Sequence, residues 1–364
     1  MRIRSTFSAY VSRQFLFWFA SVLFVLVGLI LLFDTIELLR RTATEGGASL
    51  GVVITMALFK LPHMGQKAIP FAVLFGGIMA FWRLNRHYEL VVARASGISA
   101  WQLLMPVVII AALIGAVKTT LISPFSSALL LRFERIEAKH IKRKASLAAL
   151  SSEGIWLRQT TEDGHYMLHA DTIRPQQMEL RKVIIFFFRD NDKFVRRIDA
   201  PSAQLKRGRW ELSNARITAP NAAPDFRQTH RVSTVLTREN IQDSFAPPET
   251  MSFWALPAFI DVLDQAGFSG LRHRLYWNSQ LADPLLLCAM VLLAAIFTLR
   301  PLRRGGTVRI VAGGGATGFL IYFVTDVVYA LGLSARIPTL LAAWSPAVVS
   351  SLLGAALLFH VEDG

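Results

Sequence analysis

This sequence contains little charge and a single cysteine. Only 18% of its 364 residues are Asp, Glu, Lys or Arg, whereas 53% are hydrophobic, and a globular domain usually carries about 25% charged residues. This deficit of charge argues against a soluble protein. The lone cysteine, Cys288, excludes an intrachain disulfide and therefore says nothing about the redox compartment.

Short motifs for catalysis and nucleotide binding are also missing. The chain has no G-x-S-x-G nucleophile elbow and no G-x-x-x-x-G-K-[ST] phosphate loop. We therefore expect no catalytic residue, no cofactor and no bound metal. His165 and His169 share one face of a predicted strand, which could hold a metal ion, but solvent-facing histidines on a strand are the ordinary case.

Six long apolar runs are the main feature that is present. A helix needs ~20 mostly apolar residues to cross the hydrocarbon core, and the runs lack the alternation that a transmembrane barrel requires. Lipid offers no hydrogen-bond partner to an open backbone, so the runs must be helical. They are Phe15–Phe33, Val52–Trp82, Trp101–Val117, Leu275–Leu299, Ile310–Leu333 and Ile337–Phe359. The sequence thus predicts an α-helical integral membrane protein with six transmembrane helices.

A polar block separates the third run from the fourth. Residues 124 to about 150 predict a basic amphipathic helix, the segment from Ile155 onward predicts short strands between turn clusters, and Ser252–Gly267 predicts a helix. We expect an inserted all-β domain with flanking helices. The expected parts are an N-terminal membrane half over residues 1–122, the inserted domain over residues 123–273, and a C-terminal membrane half over residues 274–364.

Basic residues in the short loops predict the orientation. The N-terminus, the loop after the second run and the loop after the fourth run carry an excess of Arg, and short basic loops remain in the cytoplasm. We therefore expect both termini to be cytoplasmic and the central domain to be periplasmic. The same bias explains the net charge of +14, so we expect no nucleic-acid partner.

Ionisable residues inside the second run are candidates for function. Lys60, His63 and Lys67 lie beside Pro62 and Pro70. A charge within the hydrocarbon costs a few kcal/mol, so it normally faces a partner or a polar cavity. A cavity for an anionic ligand is one interpretation, and snorkelling of the lysines to the membrane surface is the other.

Three more cations, Arg40, Arg41 and Lys118, lie near the outer ends of the first and third runs. Together with the cations of the second run they would lie at one membrane depth on three helices. This arrangement suits lipid phosphates, which Arg binds through two bonds and Lys as a point charge. The alternative for Arg41 is an interfacial pair with Glu37 at i, i+4. Asp326 of the fifth run either pairs with one of these cations or supports a polar helix contact.

The loop over residues 83–99 contains a short helix-like run. Apolar Leu90 and Val91 alternate with Glu89 and Arg94 before Gly97 ends the pattern. Such a helix suits docking against another protein, and an ordinary solvated connector is the alternative.

An ordered set of segments resembles the LptF/LptG family of lipopolysaccharide export permeases, and its LptG branch more than its LptF branch. The match runs over nearly the whole chain in the right order. The segments are Phe33–Arg41, Glu89–Ser99, Gly154–Arg158, Ser252–Pro257, Leu299–Gly306 and Pro338–Pro346.

The resemblance implies an architecture and a set of partners. The inserted domain would be a periplasmic β-jellyroll on a protein of the bacterial inner membrane. The chain would form a heterodimer with an LptF-like permease subunit above an LptB-like ATPase dimer, and LptC-like and LptA-like proteins would continue the periplasmic path. Lipopolysaccharide would be extracted from the membrane into a cavity between the two permeases and passed to the jellyroll.

The resemblance also implies roles for individual residues. The helix over about residues 84–97 would be the coupling helix, with Glu89 docked in a groove of the ATPase. Arg40 and Arg41 would contact lipid phosphates or core sugars, and the first and fifth spans would form the lateral gate. His63 occupies a cavity position that is often Lys in the family, so its charge here would depend on pH. The remaining candidates for ATPase coupling are Arg86, Arg94 and Gly97.

Three other functions compete with this interpretation. A mechanotransmission permease would move its outer domain without conducting substrate, and it would not need cations in the membrane. A membrane enzyme would need a cluster of acids or histidines at one membrane face, and the sequence has no convincing one. A receptor or scaffold would not need a coupling loop.

Overall fold

Two compact units make up the chain. The computed structural model describes residues 2–45, 49–97, 99–140, 148–151, 154–161, 164–174, 179–189, 193–206, 208–220, 222–234, 247–265, 269–298 and 307–362. The first unit comprises Met1–Ile141, Glu249–Pro257 and Leu271–Gly364, and the second comprises Lys142–Pro248 and Ala258–Gly270.

Helices account for almost all of the first unit, and one short helix, Leu256–Gln265, belongs mostly to the second unit. In chain order they are α1 Arg2–Glu45, α2 Leu50–Arg86, α3 Glu89–Ala95, α4 Ala100–Val117, a π-helix Lys118–Ile122, α5 Ser123–His140, a 3₁₀ turn Pro248–Thr250, α6 Leu256–Gln265, α7 Leu271–Thr298, α8 Thr307–Leu333 and α9 Thr339–Glu362. Six segments of the described residues are long and apolar enough to cross a membrane, which confirms the predicted spans. They are Thr6–Thr42, Leu50–Arg86, Ala100–Glu137, Leu271–Thr298, Val311–Leu333 and Thr339–His360.

The core of the helical unit lies between α2, α4 and α7. Phe81, Leu104 and Val291 are fully buried there, one from each helix. By contrast, only 6% of the most apolar window of the first span and 11% of that of the fifth are buried. The second and fourth spans thus form the centre of this unit, whereas α1 and α8 leave most of their apolar surface for lipid or for another protein.

Seven antiparallel strands form the second unit. They are β1 Ala148–Ser151, β2 Gly154–Thr161, β3 Gly164–Arg174, β4 Glu179–Arg189, β5 Lys193–Lys206, β6 Arg209–Thr218 and β7 Asp225–Ser233. Each strand pairs with the next one in sequence, in the order β1 to β7. This meander confirms the all-β inserted domain.

One predicted helix is shorter than expected. The basic helix expected over residues 124 to about 150 ends, among the described residues, at His140, and β1 begins at Ala148. Strand β1 takes its hydrogen bonds from β2, with Leu150 opposite Ile155. This tertiary pairing decides the conformation of the last residues that the basic pattern assigned to a helix.

The sheet curls so that its two ends approach each other. Strands β3 and β7 are four positions apart, which would be roughly 19 Å in a flat sheet and is longer than any side chain. Nevertheless the Tyr166 hydroxyl oxygen on β3 lies 3.3 Å from the carbonyl oxygen of Ser233 on β7. The buried amide oxygen of Gln159 on β2 accepts hydrogen bonds from Tyr166 at 2.5 Å and from Thr234 at 2.6 Å. These bonds join the β2–β3 side of the sheet to the end of β7 around one hydrophobic core.

Replacement of Gln159 by Leu tests this closure. The substitution removes the acceptor that the hydroxyl groups of Tyr166 and Thr234 share, and the loss of each such hydrogen bond costs about 0.5–1.5 kcal/mol. We expect the backbone amides of β2 and β7 in the full-length protein to exchange with deuterium about tenfold faster, which corresponds to about 1.4 kcal/mol. The control is Gln204→Leu, because Gln204 is exposed on β5. Equal exchange in the two variants would contradict the role of Gln159.

Candidate functional site

Arg40 and Arg41 share one carboxylate on the continuing helix α1. The Nε atom of Arg40 lies 2.9 Å from one Glu37 oxygen, and the Nε atom of Arg41 lies 2.7 Å from the other. The side chain of Arg40 remains 75% exposed. The pairing that was the alternative for Arg41 is therefore present, and it includes Arg40 as well. Exposed pairs of this kind contribute little to stability, so an anionic ligand could displace Glu37 at small cost.

Lys60 is paired inside the first unit. Its ammonium group forms a salt bridge with Asp34 of α1 and lies 5.6 Å from the centre of the Phe133 ring on α5. Both charged side chains are mostly buried. This pair holds α1, α2 and α5 together, and it gives Lys60 a structural role in addition to any contact with ligand.

Lys118 forms the second mostly buried pair. Its Nζ atom lies 2.6 Å from an Asp283 carboxylate oxygen on α7, and the two side chains are 11% and 19% exposed. Lys118 is the first residue of the π-helix that follows α4. An ion pair at this depth in a candidate span neutralises two charges that would each be costly alone.

His63 and Lys67 differ from these pairs. Among the described residues neither has an ion pair, and Lys67 is exposed whereas His63 is half-buried. The charges that act on His63 are those of Lys67, Lys60 and Lys118. The fold thus brings Lys118 of the π-helix close to the cations of α2, while Asp34 and Asp283 engage two of them. Of the three candidate residues Lys60, His63 and Lys67 on α2, Lys67 is the exposed one.

Asp326 does not pair with any of the predicted cations in the part of the chain that the structure describes. It is exposed on α8, and its charge acts on Tyr322 one turn earlier. The first of the two alternatives for Asp326 is therefore not found within this unit. An exposed carboxylate on an apolar span is instead available to a group outside the unit.

Helix α3, between α2 and α4, has one side buried in the helical unit and apolar residues exposed on the other. Tyr88 adopts a left-handed conformation with φ 59°, and this sharp turn starts α3 just after α2 ends at Arg86. Leu90 is buried in the core of the unit, whereas Val91 and Val92 are 54% and 65% exposed. The exposed apolar residues of this helix make it a candidate docking surface.

Glu89 and its neighbours surround this docking surface. The Glu89 carboxylate accepts a hydrogen bond from the Tyr10 hydroxyl of α1 at 3.2 Å. The Arg86 guanidinium lies 5.1 Å from the centre of the Trp82 ring, and Arg94 is exposed. Gly97, with φ 82°, provides the left-handed residue that ends the segment.

Comparison with known proteins identifies the family of the chain. The family model described as the lipopolysaccharide export system permease LptF/LptG matches residues 9–360. The lipopolysaccharide export system permease protein LptG of Escherichia coli (strain K12) is 23% identical over 96% of this chain and 97% of its own. The protein of the same name from Haemophilus influenzae is 21% identical over 95% and 96%.

The chain belongs to the LptF/LptG family. The match covers both membrane halves and the inserted sheet, and the relatives have nearly the same length as this chain. The family consists of permease subunits, and this agrees with a chain that has six candidate spans. The candidate cations and the exposed helix α3 therefore lie in a chain of this permease family.

The sequence of this LptF/LptG permease did not reveal the partners of the cations and of Glu89. Asp34 and Tyr10 carried no signal, because their neighbours in space are distant in sequence. Asp283 did carry one, since it is the single charge in the fourth apolar run, and a lone buried acid needs a cation. His165 and His169 lie against Phe188 and Trp156, and no group of three metal-ligand residues occurs within the described ranges.

Removal of one charge from the Lys118–Asp283 pair tests its contribution. Asp283→Asn leaves a buried ammonium group without a counter-charge, which costs about 3–5 kcal/mol. We expect a thermal unfolding midpoint several degrees lower for the purified full-length protein. The double variant Asp283→Leu, Lys118→Met should recover most of this loss, because it removes both charges. Glu37→Gln is the matched exposed control and should change stability by less than about 1 kcal/mol. An Asp283→Asn protein as stable as the control would contradict the assignment.

Proposed function

We propose that this chain is the LptG-type permease subunit of an exporter that extracts lipopolysaccharide from the inner membrane and passes it toward the outer membrane. The family match over residues 9–360 is the observation that carries this proposal. The relatives from Escherichia coli and Haemophilus influenzae are named for the same transport system. The periplasmic position of the inserted domain and the cytoplasmic position of both termini are part of the proposal.

The surfaces that the helical unit leaves exposed support the proposed partners. Helix α3 would dock in an LptB-like ATPase dimer through Val91, Val92 and Glu89. Helices α1 and α8, whose apolar surfaces are largely unburied, would face an LptF-like subunit and the lateral entry of the lipid. The curled sheet would receive the lipid and pass it to LptC-like and LptA-like proteins. ATP hydrolysis belongs to the ATPase partner in this proposal.

The helical unit offers a direct mechanical path from the ATPase to the cations. Leu90 of α3 belongs to the same buried core as Val73 of α2 and Leu103 of α4. A movement of α3 therefore displaces packed helices rather than a loose loop. Helix α2 carries Lys67, and α1, which bonds to Glu89 through Tyr10, carries Arg40 and Arg41. Lipid phosphates would take the two arginines from Glu37, and helix movement would release them.

Glu89→Lys tests the coupling role. The substitution places a cation where the docking groove would accept a carboxylate, and like-charge contacts at an interface cost several kcal/mol. We expect the amount of ATPase that co-purifies with the permease to fall at least about tenfold, with a parallel loss of ATP hydrolysis. The matched control is Glu179→Lys, which makes the same charge change on strand β4 of the other unit. Normal ATPase recovery with Glu89→Lys would exclude this docking mode.

Neutralisation of three cations separates transport through the spans from mechanotransmission. In the variant Arg40→Gln, Arg41→Gln, Lys67→Gln, we expect release of lipopolysaccharide from proteoliposomes to an acceptor to fall about tenfold or more, because several charge-assisted phosphate contacts are lost. Basal ATP hydrolysis should persist, because α3 is unchanged. The control carries Lys182→Gln, Lys193→Gln and Arg209→Gln on the exposed sheet. Unchanged release in the cation variant would favour a permease that does not conduct the lipid.

A further inference from the structure

A crease runs across the middle of the sheet. Residues three apart in a regular strand point to opposite faces, yet β4, β5 and β6 each bury two residues that are three apart. The buried pairs are Leu180 and Val183 on β4, Ala200 and Ala203 on β5, and Leu212 and Ala215 on β6. Lys182 and Asn214, with φ 50° and 51°, lie between the members of the first and third pairs. Val183 is opposite Ala200, and Ala203 is opposite Leu212, so the strands bend at one common row.

Four polar residues share the inner face of the sheet, which is the face that carries the buried core. Residues directly opposite each other on antiparallel strands point to the same face. The four have core residues, or residues packed against the core, as their opposite neighbours. The opposite pairs are Arg196 with Phe187, Asp225 with Ile217, Arg227 with Ala215 and His230 with Leu212.

The crease brings these residues together. His230 lies in the row of Leu212 and Ala203, and Ala203 is seven residues from Arg196 along β5 (196 to 203). That separation would be ~23 Å in a straight strand. Nevertheless burial and the charges of Arg196 and Arg227 lower the pKa of His230, and the charge of Asp225 opposes this effect. The two halves of the inner face therefore approach each other, and His230 lies in a positive field.

The positive charge on the inner face is only partly balanced. The Arg227 Nε atom donates to the Asp225 carboxylate at 2.9 Å, but both side chains are about half exposed, and such pairs are weak. The Arg196 guanidinium lies 4.4 Å from the centre of the Phe187 ring, and among the described residues no carboxylate pairs with it. By contrast, Arg197 on the outer face bonds to Asp199 at 2.6 Å. The inner face thus has a surplus of cations beside apolar surface.

Protection of a sheet edge explains only part of this arrangement. Inward-pointing charges can keep an edge strand from pairing with another chain. Strand β7 has a single neighbour among the described strands, so this role suits Asp225 and Arg227. It does not suit Arg196, because β5 pairs with a strand on each side. Arg196 on the inner face needs another explanation.

We propose that Arg196, Arg227 and His230 bind a phosphate group of an amphiphile on the inner face of the sheet. A guanidinium group forms two parallel bonds to an anion, so one guanidinium would satisfy a carboxylate. A phosphate group has more charge and more acceptor oxygens, which suits two guanidinium groups and an imidazole. The apolar residues beside these groups suit the hydrocarbon part of the same molecule. The inference rests on the proposed function for the source of the phosphate, which would be the exported lipid.

Photo-crosslinking of the purified full-length permease in detergent tests the site without transport. The crosslinker p-benzoylphenylalanine replaces Gln228, an exposed residue between Arg227 and His230 on β7. Two probes are compared, lipopolysaccharide and the same lipid after enzymatic removal of its phosphates. We expect the phosphorylated lipid to label the protein at least about tenfold more, which corresponds to about 1.4 kcal/mol, because charge-assisted hydrogen bonds are lost with the phosphates.

Matched variants separate the inner face from the outer one. Arg196→Gln with Arg227→Gln should reduce labelling to the level of the dephosphorylated lipid. Arg197→Gln with Arg231→Gln makes the same changes on the next residues of the same strands, which point outward, and it should leave labelling unchanged. Arg196→Lys with Arg227→Lys should keep most of the label, because both charges remain. Equal labelling by the two lipids, or by the inner and outer glutamine variants, would overturn the proposal.

Two further measurements identify the source and the alternative. Label that persists in an excess of phosphatidylglycerol would assign the exported lipid. Label that the excess removes would support the phosphate site but assign a bilayer phospholipid as its source. If the inner charges only protect the edge of β7, the inner glutamine variant will self-associate in size-exclusion chromatography while both lipids label equally, and the proposal fails. The ATPase partner is absent from this experiment, so its failure would leave the proposed export function untouched.

Discussion

The cost of a charge in an apolar environment is the constraint on which this structure depends. The candidate spans contain several ionisable residues, and each lone charge in hydrocarbon costs a few kcal/mol. In the fold, mostly buried lysines form ion pairs with carboxylates of neighbouring helices. Lys118 meets Asp283 across two helices, and Lys60 meets Asp34 across two others. These pairs fix which helices lie side by side, and they leave Lys67, Arg40 and Arg41 on accessible positions. A permease for an anionic lipid requires such a division, because a cation held tightly by a buried acid cannot bind phosphate.

Hydrogen bonding imposes the same kind of constraint on the backbone. Pro284 removes a helical donor, and the Thr119 hydroxyl replaces it from the neighbouring π-helix. The π-helix Lys118–Ile122 thus carries both Thr119, which donates to the carbonyl of Gln280, and Lys118, which pairs with the carboxylate of Asp283.

The helical unit combines a rigid centre with exposed helices at its surface. Helices α2, α4 and α7 share one core, and α3 is rooted in that core through Leu90. Helices α1 and α8 bury little of their apolar surface within the unit. In an exporter driven by an external ATPase, this division is physically useful, because a packed core transmits displacement while the unburied apolar faces of α1 and α8 can contact a lipid or another subunit. In the sheet, hydrogen bonds to the buried Gln159 join strands that are far apart in sheet order.

The sequence alone determined the six spans, the all-β insert and the position of the helix that carries Glu89. Each of these depends on local patterns, namely apolar runs long enough for a membrane, short strands between turns, and an apolar helix in a polar loop. The sequence also singled out the candidate cations, because charges stand out in apolar runs. Only the tertiary structure decided which cations are available, since Asp34 lies 26 residues from Lys60 and Asp283 lies 165 residues from Lys118. It also decided that β1 forms where a helix was predicted and that the sheet curls. Burial and pairing depend on residues distant in the chain, and no local pattern encodes which of them will meet.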